Sequence, residues 1–81
     1  MEKKIFLVED WDCNYNAFED FEDAIRYAVN QILISPDNEE IRFDMFTELI
    51  TSAIEHNKKG FVIDEFMWCW EIDYFEGAVT V

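Results

Sequence analysis

The sequence predicts one α+β domain: two helices packed on one face of a small, mostly antiparallel sheet of three to four strands, in the order β-α-α-β-β. Three observations carry that expectation. A chain of 81 residues has room for a single thin core. Two central segments repeat their apolar residues at the helical period. The segments on either side are strand-like, and the C-terminal one alternates with a period of two. No internal repeat, low-complexity run or linker composition divides residues 1–81.

Residues 4–8 (KIFLV), rich in β-branched and aromatic side chains and bounded by charges, predict a buried first strand. Residues 10–16 (DWDCNYN) read as a turn-rich loop. Asn16 followed by Glu19 matches a helix cap, which predicts a first helix from there to about Leu33. Phe18, Phe21, Ile25, Ala28, Val29 and Ile32 share its apolar sector, with Glu19, Asp20, Asp23 and Asn30 turned away. Tyr27 falls on the polar side and is expected to be exposed.

Ser35-Pro36 ends that helix, because the residue before proline avoids the α region. Asp37 with Glu40 repeats the cap pattern, and a second helix should reach about His56. Its apolar face is expected to be Phe43, Phe46, Leu49, Ile50, Ala53 and Ile54, with Asp44, Glu48, Thr51 and Glu55 opposite. Asn57-Lys58-Lys59-Gly60 closes it, placing basic side chains near the carbonyl end of the dipole. Residues 61–63 form a strand, a turn near Asp64-Glu65 follows, and Trp68, Trp70, Ile72 and Tyr74 then alternate with Cys69, Glu71, Asp73 and Phe75. Trp68 and Trp70 are assigned to the core. Glu76-Gly77 predicts a turn before a short run at 78–81.

Composition narrows the function. A hydrophobic share of 51% and an aromatic share of 17% are too high for a disordered acidic tail, despite a net charge of −13. Nineteen acids against six bases repel DNA, RNA and anionic membrane, so the expected partner is basic. The apolar run at 5–8 is shorter than an export signal needs, and no stretch approaches the roughly 20 apolar residues of a membrane span. A soluble cytoplasmic protein is the expectation.

Catalysis finds little support. The only histidine, His56, stands apart from Cys13 and Cys69, which are read as two free thiols, and no nucleophile–base pair is marked. Gly60 and Gly77 sit at turn positions and make no phosphate-cradling loop. Asp12, Asn14, Asn16, Asp20 and Asp23 match the spacing of a calcium loop. Ala17 stands where that loop requires glycine, and Asp23 where it requires bidentate glutamate. No enzyme activity, metal or cofactor is assigned, and a calcium-binding domain is the second alternative.

The distribution of acid is the main signal. No base lies between Lys4 and Arg26, an interval holding Glu9, Asp10, Asp12, Glu19, Asp20, Glu22 and Asp23. None follows Lys59, where Asp64, Glu65, Glu71, Asp73 and Glu76 occur. Like charges at i,i+4, as in Glu19/Asp23 and Asp44/Glu48, each cost about 0.2–0.5 kcal/mol on a helix. Carboxylates at that spacing are roughly 6 Å apart, and alternate strand residues such as Glu71 and Asp73 about 6.7 Å, close to the spacing of backbone phosphates. In size, charge and aromatic content the chain resembles the small acidic DNA mimics and the anti-restriction or anti-CRISPR inhibitors made by phages. That resemblance implies an inhibitor blocking the nucleic-acid groove of a defence nuclease.

The candidate partner-binding residues are Glu9, Asp10, Trp11, Asp12, Glu19, Asp20, Asp23, Tyr27, Asp44, Glu48, Glu55, Glu71 and Asp73. The alternative is an acidic interaction module, such as an antitoxin, adaptor or regulatory subunit, that binds through exposed aromatics. A homodimer joined through the apolar strand at 66–70 is a further expectation, since such a strand left at a sheet edge invites pairing.

Overall fold

The computed structural model of the protein describes residues 3–74. It contains β1 (Lys3–Asp10), β2 (Tyr15–Phe18), α1 (Phe21–Leu33), α2 (Glu39–Glu55), β3 (Gly60–Ile63) and β4 (Met67–Tyr74). All strand pairs are antiparallel and the order across the sheet is β2-β1-β4-β3. The α+β class is as the sequence predicts, with β2 as an extra strand. The expected turn at 76–77 and run at 78–81 lie outside the described residues.

Registers fix the two sheet faces. Val8 lies opposite Cys69 and Asn16, while Ile63 lies opposite Met67. Phe6, Val8, Phe61, Ile63, Met67 and Cys69 therefore share the face that meets Ala24, Ala28 and Ile32 of α1 and Leu49 and Ala53 of α2 in one core. Helix α1 packs on β1 and β2, and α2 packs on β3. Burial pushes the Cys69 thiol up to about 12, so it stays protonated, whereas Cys13 is exposed.

Period two places Trp68 and Trp70 on the other face, with Leu7, Tyr15, Val62 and Ile72. The expectation that both tryptophans belong to the core is thus corrected. The small Cys69 and flexible Met67 face the helices, while Trp70 covers Gly60 and meets the ring of His56 edge-on, with centroids 5.1 Å apart. Nor is the strand that carries them an edge: β4 lies between β1 and β3, which removes the reason given for dimerisation through it.

Three local expectations also change. The segment expected to be a loop and cap is a β-hairpin: Cys13 N–H donates to Asp10 C=O, and Cys13 takes a positive φ of 63° where three-residue hairpin loops favour glycine. Phe18 therefore belongs to β2, and Asp20 caps α1 without a side-chain hydrogen bond. At α2 the capping side chain is Asn38, which accepts from Ile41 N–H, so the cap lies one residue beyond Asp37. The largest difference is on α2 itself. Leu49, Ser52 and Ala53 are buried, but Phe43, Ile50 and Ile54 are exposed, because the buried direction is rotated from the apolar one.

The closures at Lys58 and Asp64 match expectation. Lys58 N–H bonds Ala53 C=O and Asn57 N–H bonds Ile54 C=O, a Schellman end with Asn57 left-handed at φ 54°. The β3–β4 turn spans Asp64, Glu65 and Phe66.

Candidate acidic groove

The site grows from the way α2 is seated against the sheet edge. Ser52 is buried, and its hydroxyl accepts the Val62 N–H at 2.8 Å, satisfying a donor on the free side of β3. His56 Nδ1 lies 2.8 Å from Ser52 C=O, which anchors the ring at the helix end. Held there, α2 turns Asp44, Glu48 and Glu55 toward the β3 edge, where they line a concavity with His56, Val62 and Asp64.

Two further concavities continue it. Asp44, Glu48 and Asp64 recur in the next one, beside Trp11, Glu65 and Phe66. The last contains Glu9, Asp10, Trp11, Asp64, Glu65, Phe66 and Trp68. Adjoining through shared residues, the three make up a groove that follows the β3 edge and passes around the hairpin end onto the far sheet face, where Glu9 and Trp68 lie. Seven carboxylates line it: Glu9, Asp10, Asp44, Glu48, Glu55, Asp64 and Glu65. No lysine or arginine lies among its described lining residues.

Aromatic rings interrupt the acids. Trp11, 54% exposed, stacks on Phe66 with ring centroids 6.3 Å apart and planes within 18°. Tyr15, 60% exposed, meets Trp68 edge-on at 6.3 Å. A hydrogen bond to Glu9 and its negative charge raise the Tyr15 phenol pKa above its ordinary value.

Asp10 has a different task from its acidic neighbours. It is only 7% exposed, and its Oδ1 accepts both Asp12 N–H and Asn14 N–H at 3.0 Å. Its Oδ2 accepts the Tyr27 hydroxyl at 3.0 Å, and that hydroxyl in turn accepts from Asn16 Nδ2 at 2.9 Å. Burial pushes the carboxyl pKa up, but hydrogen bonds from Asn14, Tyr27 and Asp12 outweigh it and hold the group below the usual carboxylate value. Burial and the bond to Asp10 raise the Tyr27 phenol. Asp10 and Tyr27 are thereby committed to holding the hairpin against α1, and the expectation of an exposed Tyr27 is corrected.

The remaining predicted residues do not all converge. Glu9, Trp11, Asp44, Glu48 and Glu55 come together in the groove, and Asp12 is exposed on the hairpin tip beside it. Glu19, Asp20 and Asp23 are exposed at the N-terminal end of α1, which covers the β1–β2 half, and Asp23 lies 3.7 Å from Arg26. Glu71 and Asp73 follow the alternation on the helix-side face of β4, where Lys4 pairs with Asp73. The helix and strand rows therefore do not form a single surface.

Sequence reasoning left out Asp64, Glu65 and Phe66, all in the β3–β4 turn. The charged Asp64-Glu65 turn between two apolar strands was the available signal. The residues with calcium-loop spacing are dispersed: Asp12 and Asn14 belong to the hairpin turn, Asn16 pairs with Val8 inside β2, and Asp20 caps α1. Among the described residues no group of three or more His, Cys, Asp or Glu side chains is placed to hold a metal ion.

Fold and groove together define a two-layer α+β domain with an acidic, aromatic-studded groove on its surface. No family model, curated protein or solved structure matches the chain. Among the described residues no helix is long and apolar enough to cross a membrane.

Proposed function

We propose that this protein is an acidic inhibitor whose groove imitates DNA phosphates and occupies the nucleic-acid-binding surface of a basic host protein, such as a defence nuclease of the restriction or CRISPR kind. The observation that carries the reading is the set of adjoining concavities lined by Glu9, Asp44, Glu48, Glu55, Asp64 and Glu65, beside the buried Asp10, with no lysine or arginine in the described lining. Repulsion among these groups is relieved when cationic side chains enter. Arginine suits the site best, since a guanidinium pairs with carboxylates through two hydrogen bonds and also stacks on rings such as Trp11. In this reading the protein is phage-encoded, acts in the host cytoplasm and has no catalytic role.

The test is capture from a nuclease-treated bacterial lysate by the tagged protein, with retained proteins identified by mass. Wild type should retain a nucleic-acid-binding protein that is released by high salt or competitor DNA. The triple variant Asp44→Asn, Glu48→Gln, Glu65→Gln should retain at least tenfold less, since charged interface pairs are each worth about 1 kcal/mol or more. Equal capture by a folded triple variant would sink the proposal.

A second reading rests on the exposure of Trp11 and Tyr15. As an interaction module anchored by these rings, the chain would hold its partner at high salt and lose it on Trp11→Ala.

A further inference from the structure

Helix α2 carries a second surface that the groove does not use. Phe43, Ile50 and Ile54 are 69%, 60% and 68% exposed. At about 100° per residue they fall within roughly 40° of one another, and Asp44, Glu48 and Glu55 lie about 120° round the helix. Beside this stripe an open cleft between the helices is lined by Phe21, Ile25, Leu49, Ile50, Ala53 and Ile54. At roughly 200 Å² for a large side chain, the three exposed residues alone present on the order of 400 Å², within the range of about 300–600 Å² spanned by the largest apolar patch of a soluble monomer, a patch that often serves as a contact surface.

The charges around the stripe suit a second copy of this chain. Glu39 and Glu40 occupy the first turn of α2, while Lys58, just past its last turn, lines the cleft together with Arg26, Asp20 and Glu22. Lys58 lies in the closure just past the helix end at Glu55, so Glu39/Glu40 and Lys58 flank the stripe from opposite ends of α2. An antiparallel α2–α2′ contact then sets Glu39 and Glu40 of each copy against the Lys58 end of the other. A parallel contact would oppose acid to acid.

We infer that the protein forms a symmetric dimer through antiparallel apposition of the Phe43–Ile50–Ile54 stripe and the adjoining cleft. The exposed area of the three anchors is about half of the roughly 800 Å² per partner in a standard interface, which makes this a small contact whose occupancy depends on concentration. The two-fold arrangement meets the self-complementarity that a dimer contact requires. It also leaves both acidic grooves facing outward, so it does not depend on what they bind.

Sedimentation and light scattering of the full chain over a range of concentrations test this. Wild type should reach twice the monomer mass, and Ile50→Glu and Ile54→Glu should each restore the monomer mass with an unchanged near-ultraviolet spectrum. Tyr15→Ser, on the far sheet face, should leave the dimer intact. Lys58→Glu should weaken association about tenfold, and adding Glu39→Lys and Glu40→Lys to it should restore the dimer. The charge-swap set leaves the apolar stripe untouched, so it decides the question even if an isoleucine variant fails to fold. A wild type that stays monomeric throughout overturns the inference, as does a dimer that survives both isoleucine variants or fails to respond to the charge swap.

Discussion

At the residue scale, Asp10 shows how a carboxylate in a protein of net charge −13 can be structural. It satisfies three donors, the Asp12 and Asn14 amides and the Tyr27 hydroxyl, in a turn whose Cys13 is left-handed without being glycine. Removing the acceptor strands those donors, so Asp10→Ala should cost on the order of 2–3 kcal/mol in urea unfolding, whereas Asp12→Ala on the exposed tip should stay within about 0.5. The pH dependence follows in sign. The folded pKa lies below the unfolded one, so the stabilisation is fully present above the ordinary carboxylate value near 4 and is lost as pH falls through the lower folded value. A wild type and an Asp10→Ala variant that differ equally at pH 6 and pH 2 would refute this role.

At the element scale, Gly60 links the helix closure to the aromatic strand. A Cβ there would press on the Cys69 carbonyl and come within 2.6 Å of the Trp70 ring, and the carbonyl is held in the sheet. Gly60→Ala should therefore cost about 1–3 kcal/mol by forcing β3 and β4 apart, readable as a shift of the urea midpoint. Much of this architecture was legible in the sequence: the end of α1 at Leu33, the end of α2 within a residue of the expected His56, the closure at Asn57 and the turn at Asp64 all carried local chemistry. The β1–β2 hairpin was not, because its left-handed position holds Cys13 and not glycine, and because the spacing of Asn16 and Glu19 imitates a cap. Helix α2 misled for another reason. Its apolar residues serve two surfaces, so the apolar sector seen on a wheel points between the core and the Phe43–Ile54 stripe. In the candidate site, the helical acids were legible from periodicity. Their meeting with Asp64 and Glu65 depended on the seating of α2 against β3, a tertiary fact with no local signal.

At the scale of the whole molecule, stability and binding pull in opposite directions. Screening acts over about 10 Å at 0.1 M salt, longer than the roughly 6 Å of an i,i+4 helix pair such as Asp44/Glu48, so in dilute buffer that pair repels almost unshielded. Raising sodium chloride to about 0.5 M should lift the melting temperature by several degrees, since 1 kcal/mol is worth about 4–8 °C in a domain of this size. The triple variant Asp44→Asn, Glu48→Gln, Glu65→Gln should melt higher than wild type in dilute buffer and respond less to salt, because part of the repulsion has been removed chemically. Differential scanning calorimetry at two salt concentrations measures both effects. If the variant were less stable and equally salt-sensitive, the groove acids would be holding the fold together and their concentration in one base-free surface would need no partner to explain it. If it is more stable and binds less, stability has been given up for a surface complementary to cations, as expected where a site is shaped by its ligand and not by the fold.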